Sequence, residues 1–416
     1  MINHSRQYRD IEWSAVVKPW TLLLAVITLV SSSALATDGH QLIGIGALQK
    51  GTGGAGVASP KDSTWVLLNP ASIVDLDRRL DFSFETFAPK RYIEPHGPLL
   101  LPFANLGGGR MTDDSIFFIP AMGAVFPREN SAIGLGLFAV NGMGVDYRNS
   151  RTLLPRVLGF NFDRRTEYGA MKLSLAYAYR LDNGWSLGAT ANLDYARFHT
   201  DMLTMRFWET AGDNEWDGAF GAGFTLGVYK DWERWSFGAA YTSPQWMQTF
   251  DKYDDLLSKP LDLPQTFQIG VAYDITPSIE AVLDYKFINW SGVSQIAAAP
   301  IQGGFGWKDQ HVIKAGVTWE VNPKWTLRAG VSHGNSPIEE EVVFANALFP
   351  AIVETHATAG ASYAISEHSD IHVAYKHAFG NKLTDNGQGD LFSFVGKGTE
   401  IYLEENSLTV EYSYKF

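Results

Sequence analysis

Over much of the chain, apolar and polar residues alternate one by one. Phe267, Ile269, Val271 and Tyr273 are interleaved with Gln268, Gly270, Ala272 and Asp274. Ile279, Ala281, Leu283, Tyr285 and Phe287 flank Glu280, Asp284 and Lys286. Ile313, Ala315, Val317 and Trp319 alternate with Lys314, Gly316, Thr318 and Glu320, and Trp325, Leu327, Ala329 and Val331 with Thr326, Arg328 and Ser332. The final segment sets Leu408, Val410, Tyr412, Tyr414 and Phe416 against Thr409, Glu411, Ser413 and Lys415. A period of two puts successive side chains on opposite faces of a strand.

The joints alternate as well. Short ones, rich in Asn, Asp, Pro and Gly, fall at Pro127–Asn130, Asp182–Gly184, Asp231–Arg234, Asp274–Pro277, Asn322–Lys324 and Ser366–Ser369, and suit tight turns. Between them lie longer connections at 88–114, 148–166, 200–215, 250–263, 291–309, 335–352 and 380–405. Short turns at one end and long loops at the other, about fourteen strands of about ten residues, and a last strand closing on Phe416 predict an all-β transmembrane antiparallel barrel. Its apolar face meets lipid and its polar face lines a lumen. A soluble β-sandwich also alternates, but its strands usually run about 5–6 residues. Trp185, Trp232, Trp235, Trp290, Trp319 and Trp325 stand at strand ends, where a barrel carries its interfacial girdles.

Arg6, Arg9 and Lys18 precede the apolar run Leu22–Val30, which is followed by Ser31–Ser33 and Ala34-Leu35-Ala36. That order predicts a cleaved secretory signal over 1–36, because the run is too short to span a bilayer. The expected organisation is a signal peptide at 1–36, an N-terminal segment at 37–79 and the barrel at 80–416. Cysteine is absent, which excludes disulfides, thiolate-held zinc and thiol catalysis. Aromatics make up 13% and glycine numbers 40, while overall hydrophobic content is an ordinary 45%; alternation rather than massed apolar residues gives that combination. A net charge of −12 without a basic stripe argues against nucleic acid as a partner.

Residues 37–79 do not alternate. Gly51-Thr52-Gly53-Gly54-Ala55-Gly56 matches a dinucleotide-binding pattern literally, but no strand precedes it and no βαβ unit surrounds it. Small residues here suit a backbone packed inside something narrow. This Gly- and Ala-rich start, then Asp62-Ser63-Thr64 and Asn69-Pro70-Ala71, resembles the hatch of the FadL-like family of outer-membrane transporters. The resemblance continues through Asp262-Leu263-Pro264, Asp284-Tyr285, Trp290-Ser291 and Trp325–Gly330, and so covers the whole mature chain.

The resemblance implies a hatch at 37–79 plugging the lumen, with Asn69-Pro70-Ala71 packed near a kink in the third strand. That strand contains Asn141-Gly142-Met143-Gly144, where glycines interrupt the alternation and imply a lateral gate. It further implies uptake of hydrophobic compounds, long-chain fatty acids foremost and monoaromatic hydrocarbons as the alternative. Leu99, Leu100, Leu101 and Phe103 form a candidate ligand-capturing loop, joined by Val342-Val343-Phe344 and Leu348-Phe349. Lys172, Lys286, Lys314, Arg328 and Lys376 should face the lumen, pairing mostly with Glu280, Asp284, Glu320 or Glu411. A barrel lipid hydrolase would need a Ser–His pair, and neither G-x-S-x-G nor H-E-x-x-H occurs. An unspecific porin would need no plug. No catalytic residue, metal site or cofactor is expected; the expected setting is the bacterial outer membrane, as a monomer among lipid and lipopolysaccharide.

Overall fold

The computed structural model describes residues 38–97, 109–148, 165–201, 215–254 and 256–416. Fourteen antiparallel strands form one closed sheet: β1 (Arg79–Glu94), β2 (Phe117–Pro127), β3 (Ser131–Asp146), β4 (Arg165–Arg180), β5 (Ser186–Thr200), β6 (Asp217–Asp231), β7 (Trp235–Thr242), β8 (Thr266–Thr276), β9 (Ile279–Ile288), β10 (Gln310–Asn322), β11 (Trp325–Gly334), β12 (Thr355–Ala364), β13 (Ser369–Thr384) and β14 (Glu400–Lys415). Each pairs with its sequence neighbours, and β14 returns to β1 from Arg79 against Lys415 to Glu94 against Glu400. Closure removes the free edges that lipid could not satisfy. Among the described residues, two short strands lie outside this ring, Met111–Asp113 on β1 and Trp246–Met247 on β6. Among the described residues no helix is long and apolar enough to cross a membrane.

The six tight turns fall where the sequence places them, between Pro127 and Ser131, Arg180 and Ser186, Asp231 and Trp235, Thr276 and Ile279, Asn322 and Trp325, and Ala364 and Ser369. Two loops are shorter than expected, because β1 runs on to Glu94, β13 to Thr384, and β14 begins at Glu400. Pro89 suggests a strand end, since it cannot donate to a ladder. It is tolerated because β1 lacks a second partner between the Phe87–Phe117 and Arg91–Asp113 pairs.

The faces have the expected polarity. Leu408, Val410, Tyr412 and Tyr414 are exposed to the outside, while Thr409, Glu411 and Ser413 are buried inside. Near the tight turns Trp235 packs on Tyr273 and Trp325 on Tyr363, with ring centroids 4.2 and 4.8 Å apart, as an interfacial girdle requires. Trp290 departs from that expectation. It is fully buried inside, against Trp307, and donates to Gln310 at 2.7 Å. The inner wall is apolar toward the long loops, where Phe87, Met143, Tyr168, Phe198, Phe250 and Trp290 belong to one cluster. A smaller cluster joins Trp65, Val66 and Ile73 to Val125, Ala132 and Phe138.

Candidate functional site

Inside the barrel, residues 38–76 carry two short helices, α1 (Gly46–Gly51) and α2 (Trp65–Leu68), and a 3-10 turn over Pro70–Asp75. The segment fits because the wall is hollowed to receive it. A Cβ at Gly330 on β11 would collide with the backbone of Thr52 and Gly53, and one at Gly188 on β5 with Pro70 and Ala71. The Asn69 amide donates to the carbonyls of Val57 and Val228 at 2.9 and 3.1 Å. Its side-chain oxygen receives the Ala71 N–H and caps the 3-10 turn. Asn69-Pro70-Ala71 therefore docks on β5 and β6, not on the third strand. Val66 and Ile73 reach β3 instead, against Gly134.

A buried backbone must satisfy its N–H groups. Asp284 accepts from Gly56 and Val57 at 2.8 and 2.9 Å, and Glu411 accepts from Ala47 at 2.6 Å. Glu280 pairs with Lys61 at 2.9 Å. These wall carboxylates thus serve the hatch and leave the wall lysines to other partners, contrary to the pairing expected from sequence. Lys286 and Lys314 both hold Asp38 of the hatch at 2.9 Å. Lys376 pairs with Glu405 at 3.0 Å, Lys172 lies 3.7 Å from Asp194, Lys50 pairs with Glu85, and Arg328 donates to Ser362. Burial alone would raise the Asp38 carboxyl; the two ammonium groups outweigh it and hold the group well below the usual carboxylate range. Next to it His40 is fully buried, 4.6 Å from Trp290 and 5.6 Å from Tyr168 between ring centroids. Burial pushes its imidazole down to about 3, so it is neutral.

Asn141-Gly142-Met143-Gly144 lie where the wall is interrupted. The β2–β3 ladder ends at Ala121 against Phe138, although β2 continues along β1 to Phe117 and β3 along β4 to Asp146. The β3–β4 register shifts between Ala139 and Asn141, a bulge that bends the strand. Gly144 has φ 147°, a conformation that a side chain would oppose. Hatch residues take up part of the open flank: Gln41 bridges to Asn141, and the Gly142 N–H donates to the His40 carbonyl at 3.1 Å. Farther along, Arg91 donates to the Gly144 carbonyl at 2.6 Å and pairs with Asp113, which accepts the Asp146 N–H at 2.8 Å. The interruption is a window with paired strands on one side and this brace on the other.

Behind the window lies a cavity of about 130 Å³. Its lining includes Leu42, Ile45, Leu67 and Val140, together with Lys286 and Lys314. Val343 and Phe349 from the long loop after β11 are buried in the apolar cluster. Leu99, Leu100, Leu101 and Phe103 lie outside the described residues, as does the expected signal segment 1–36. Among the described residues no group of His, Asp and Glu is arranged to hold a metal. The glycines that receive the hatch were missed as a set from sequence. Their signal is a Gly on the inward face of several strands, at Gly188, Gly227, Gly238, Gly316 and Gly330.

A closed fourteen-strand barrel with lipid-facing aromatics and an internal plug is an outer-membrane transport fold. The chain belongs to the family of outer membrane protein transport proteins (OMPP1/FadL/TodX), whose model matches residues 27–416. It is similar to the long-chain fatty acid transport protein of Escherichia coli strain K12, 22% identical over 90% of this chain and 95% of that protein. It is 21% identical to outer membrane protein P1 of Haemophilus influenzae strain Rd, over 87% of this chain and 90% of that one. Among solved structures, the P. putida toluene transporter TodX shares the fold with a TM-score of 0.67 at 15% identity, covering 90% of this chain and 99% of its own.

Proposed function

We propose that this chain takes up hydrophobic compounds, long-chain fatty acids foremost, and releases them sideways through the window at Asn141-Gly142-Met143-Gly144. The observation that carries this reading is the end of the β2–β3 ladder at Phe138 while both strands continue. A lateral route lets an apolar chain leave protein for bilayer without crossing water. It avoids roughly 0.8 kcal/mol per CH₂, or on the order of 10 kcal/mol for a long acyl chain. The apolar inner wall on the loop side suits such a ligand, and the hatch at 37–79 keeps the lumen from becoming a water pore. The E. coli relative is named for long-chain fatty acids and the P. putida structure for toluene, so monoaromatic hydrocarbons are the second substrate class. Three buried lysines at the cavity, Lys172, Lys286 and Lys314, favour an acid over a hydrocarbon. The cavity of about 130 Å³ is below the ~300–1,000 Å³ usual for ligand pockets, so the hatch residues in front of the window move during passage.

The chain has no cysteine of its own, which makes a lock simple to build. Gln41 and Asn141 are bridge partners, and Gln41→Cys with Asn141→Cys tethers the hatch across the window. Uptake of labelled oleate by cells carrying the double variant should stop on oxidation and return on reduction. Equal uptake in both states overturns the lateral route.

A further inference from the structure

We infer that Asp38 is a resident carboxylate occupying the place of a ligand carboxylate, and that exchange between the two at Lys286 and Lys314 makes release selective for acids. This rests on the transport reading above and specifies which ligand unlocks the window.

Lys286 on β9 and Lys314 on β10 belong to the fixed wall, yet the anion that neutralises them comes from the hatch. Both ammonium groups lie 2.9 Å from the same Asp38 oxygen, and all three side chains are buried. Two cations brought together in a buried site require an anion, but nothing requires it to be covalently attached. The adjoining cavity is lined by both lysines and by Leu42, Ile45, Leu67 and Val140. A cationic end beside an apolar wall fits an amphiphile with a carboxylate head and a hydrocarbon tail. The third cation there, Lys172, is 3.7 Å from Asp194 of the neighbouring strand and has its own wall carboxylate.

The same short stretch holds the window. Two residues beyond Asp38 the His40 carbonyl receives the Gly142 N–H, and Gln41 bridges to Asn141 while also accepting from Lys286 at 2.9 Å. A ligand carboxylate that takes the two lysines removes the ion pairs anchoring Asp38 to β9 and β10, and so frees the stretch whose next residues, His40 and Gln41, hydrogen-bond to β3. The ligand thereby replaces one charged pair with another and leaves no buried cation unpaired. A hydrocarbon or an alcohol cannot make that replacement. As a tethered competitor, Asp38 acts at an effective concentration of order millimolar, so it lowers the apparent affinity for free acids without affecting neutral ligands.

The test measures equilibrium binding of labelled oleate and of oleyl alcohol to the full-length chain refolded in detergent. Asp38→Asn should strengthen oleate binding about tenfold or more, as removal of an intramolecular competitor does, with oleyl alcohol unchanged. Adding Lys286→Met and Lys314→Met to Asp38→Asn, which leaves no charge of the trio unpaired, should abolish the advantage of acid over alcohol. Gln41→Cys should react faster with a soluble maleimide when oleate is present, and no faster with oleyl alcohol. Unchanged oleate affinity in Asp38→Asn, equal strengthening of both ligands, or an acid preference surviving the triple substitution each overturns the exchange while leaving transport intact. Failure of the wild-type chain to bind either ligand overturns the transport reading along with it.

Discussion

The Ala47 amide donates to the Glu411 carboxylate at 2.6 Å, so the first helix of the hatch starts on a side chain of the strand that closes the barrel. Both residues are buried. Glu411→Leu would leave that N–H unpaired, at a cost of about 1–3 kcal/mol. Glu411→Gln keeps an acceptor and should cost less. Urea unfolding of the refolded chain should rank the variants in that order; equal midpoints would show that the contact contributes nothing.

The hatch should be removable by filling the space it uses. Gly330 faces inward beneath Thr52 and Gly53, whereas Ala329 beside it is exposed toward lipid. Gly330→Leu should dislodge this stretch of the hatch and raise single-channel conductance in planar bilayers. Ala329→Leu should not. Deleting residues 38–76 should open the pore further, and an unchanged conductance in the deletion would mean that the segment does not plug the lumen.

How far these features were readable in the sequence depends on the range of the contact that makes them. The tight turns were legible because Asn, Asp, Pro and Gly act within a few residues. The outward row Leu408, Val410, Tyr412 and Tyr414 was legible because period two is local. Trp290 was misplaced because a Trp beside a strand end looks the same in sequence whether it faces lipid or an inner wall. The partner of Lys314 was missed because Asp38 lies on the hatch, remote in the chain from β10. The β2–β3 window was only half legible. Asn141, Gly142 and Gly144 mark an irregular strand, but which neighbour withdraws from it is a property of pairing, not of that segment.

The outward register can be checked by chemistry. Val410 is 41% exposed and Glu411 is 1% exposed. In a chain without native cysteines, Val410→Cys should react with a lipid-soluble maleimide, and Glu411→Cys should be protected. A one-residue slip would move every side chain of β14 to the other face and reverse the result.

The window also needs a firm outer edge, and the Arg91–Asp113 pair supplies it. Arg91 is fully buried, donates to the Gly144 carbonyl at 2.6 Å and pairs with Asp113; Asp113 in turn accepts the Asp146 N–H at 2.8 Å. The pair therefore ties the loop-side end of β1 to the segment of β3 that β2 has left. Asp113→Ala would strand the Arg91 charge in a buried site, for which about 3–5 kcal/mol of destabilisation is usual. Removing both charges with Arg91→Met and Asp113→Val spares that penalty, although it still removes the two bonds to β3, so the double variant should lie between Asp113→Ala and wild type in urea stability. Oleate uptake separates the two roles. If the brace sets the edge of the window, uptake by the double variant departs from wild type although its stability is partly recovered. Wild-type uptake in a stable double variant would assign the pair to stability alone and leave the window bounded by β3 itself.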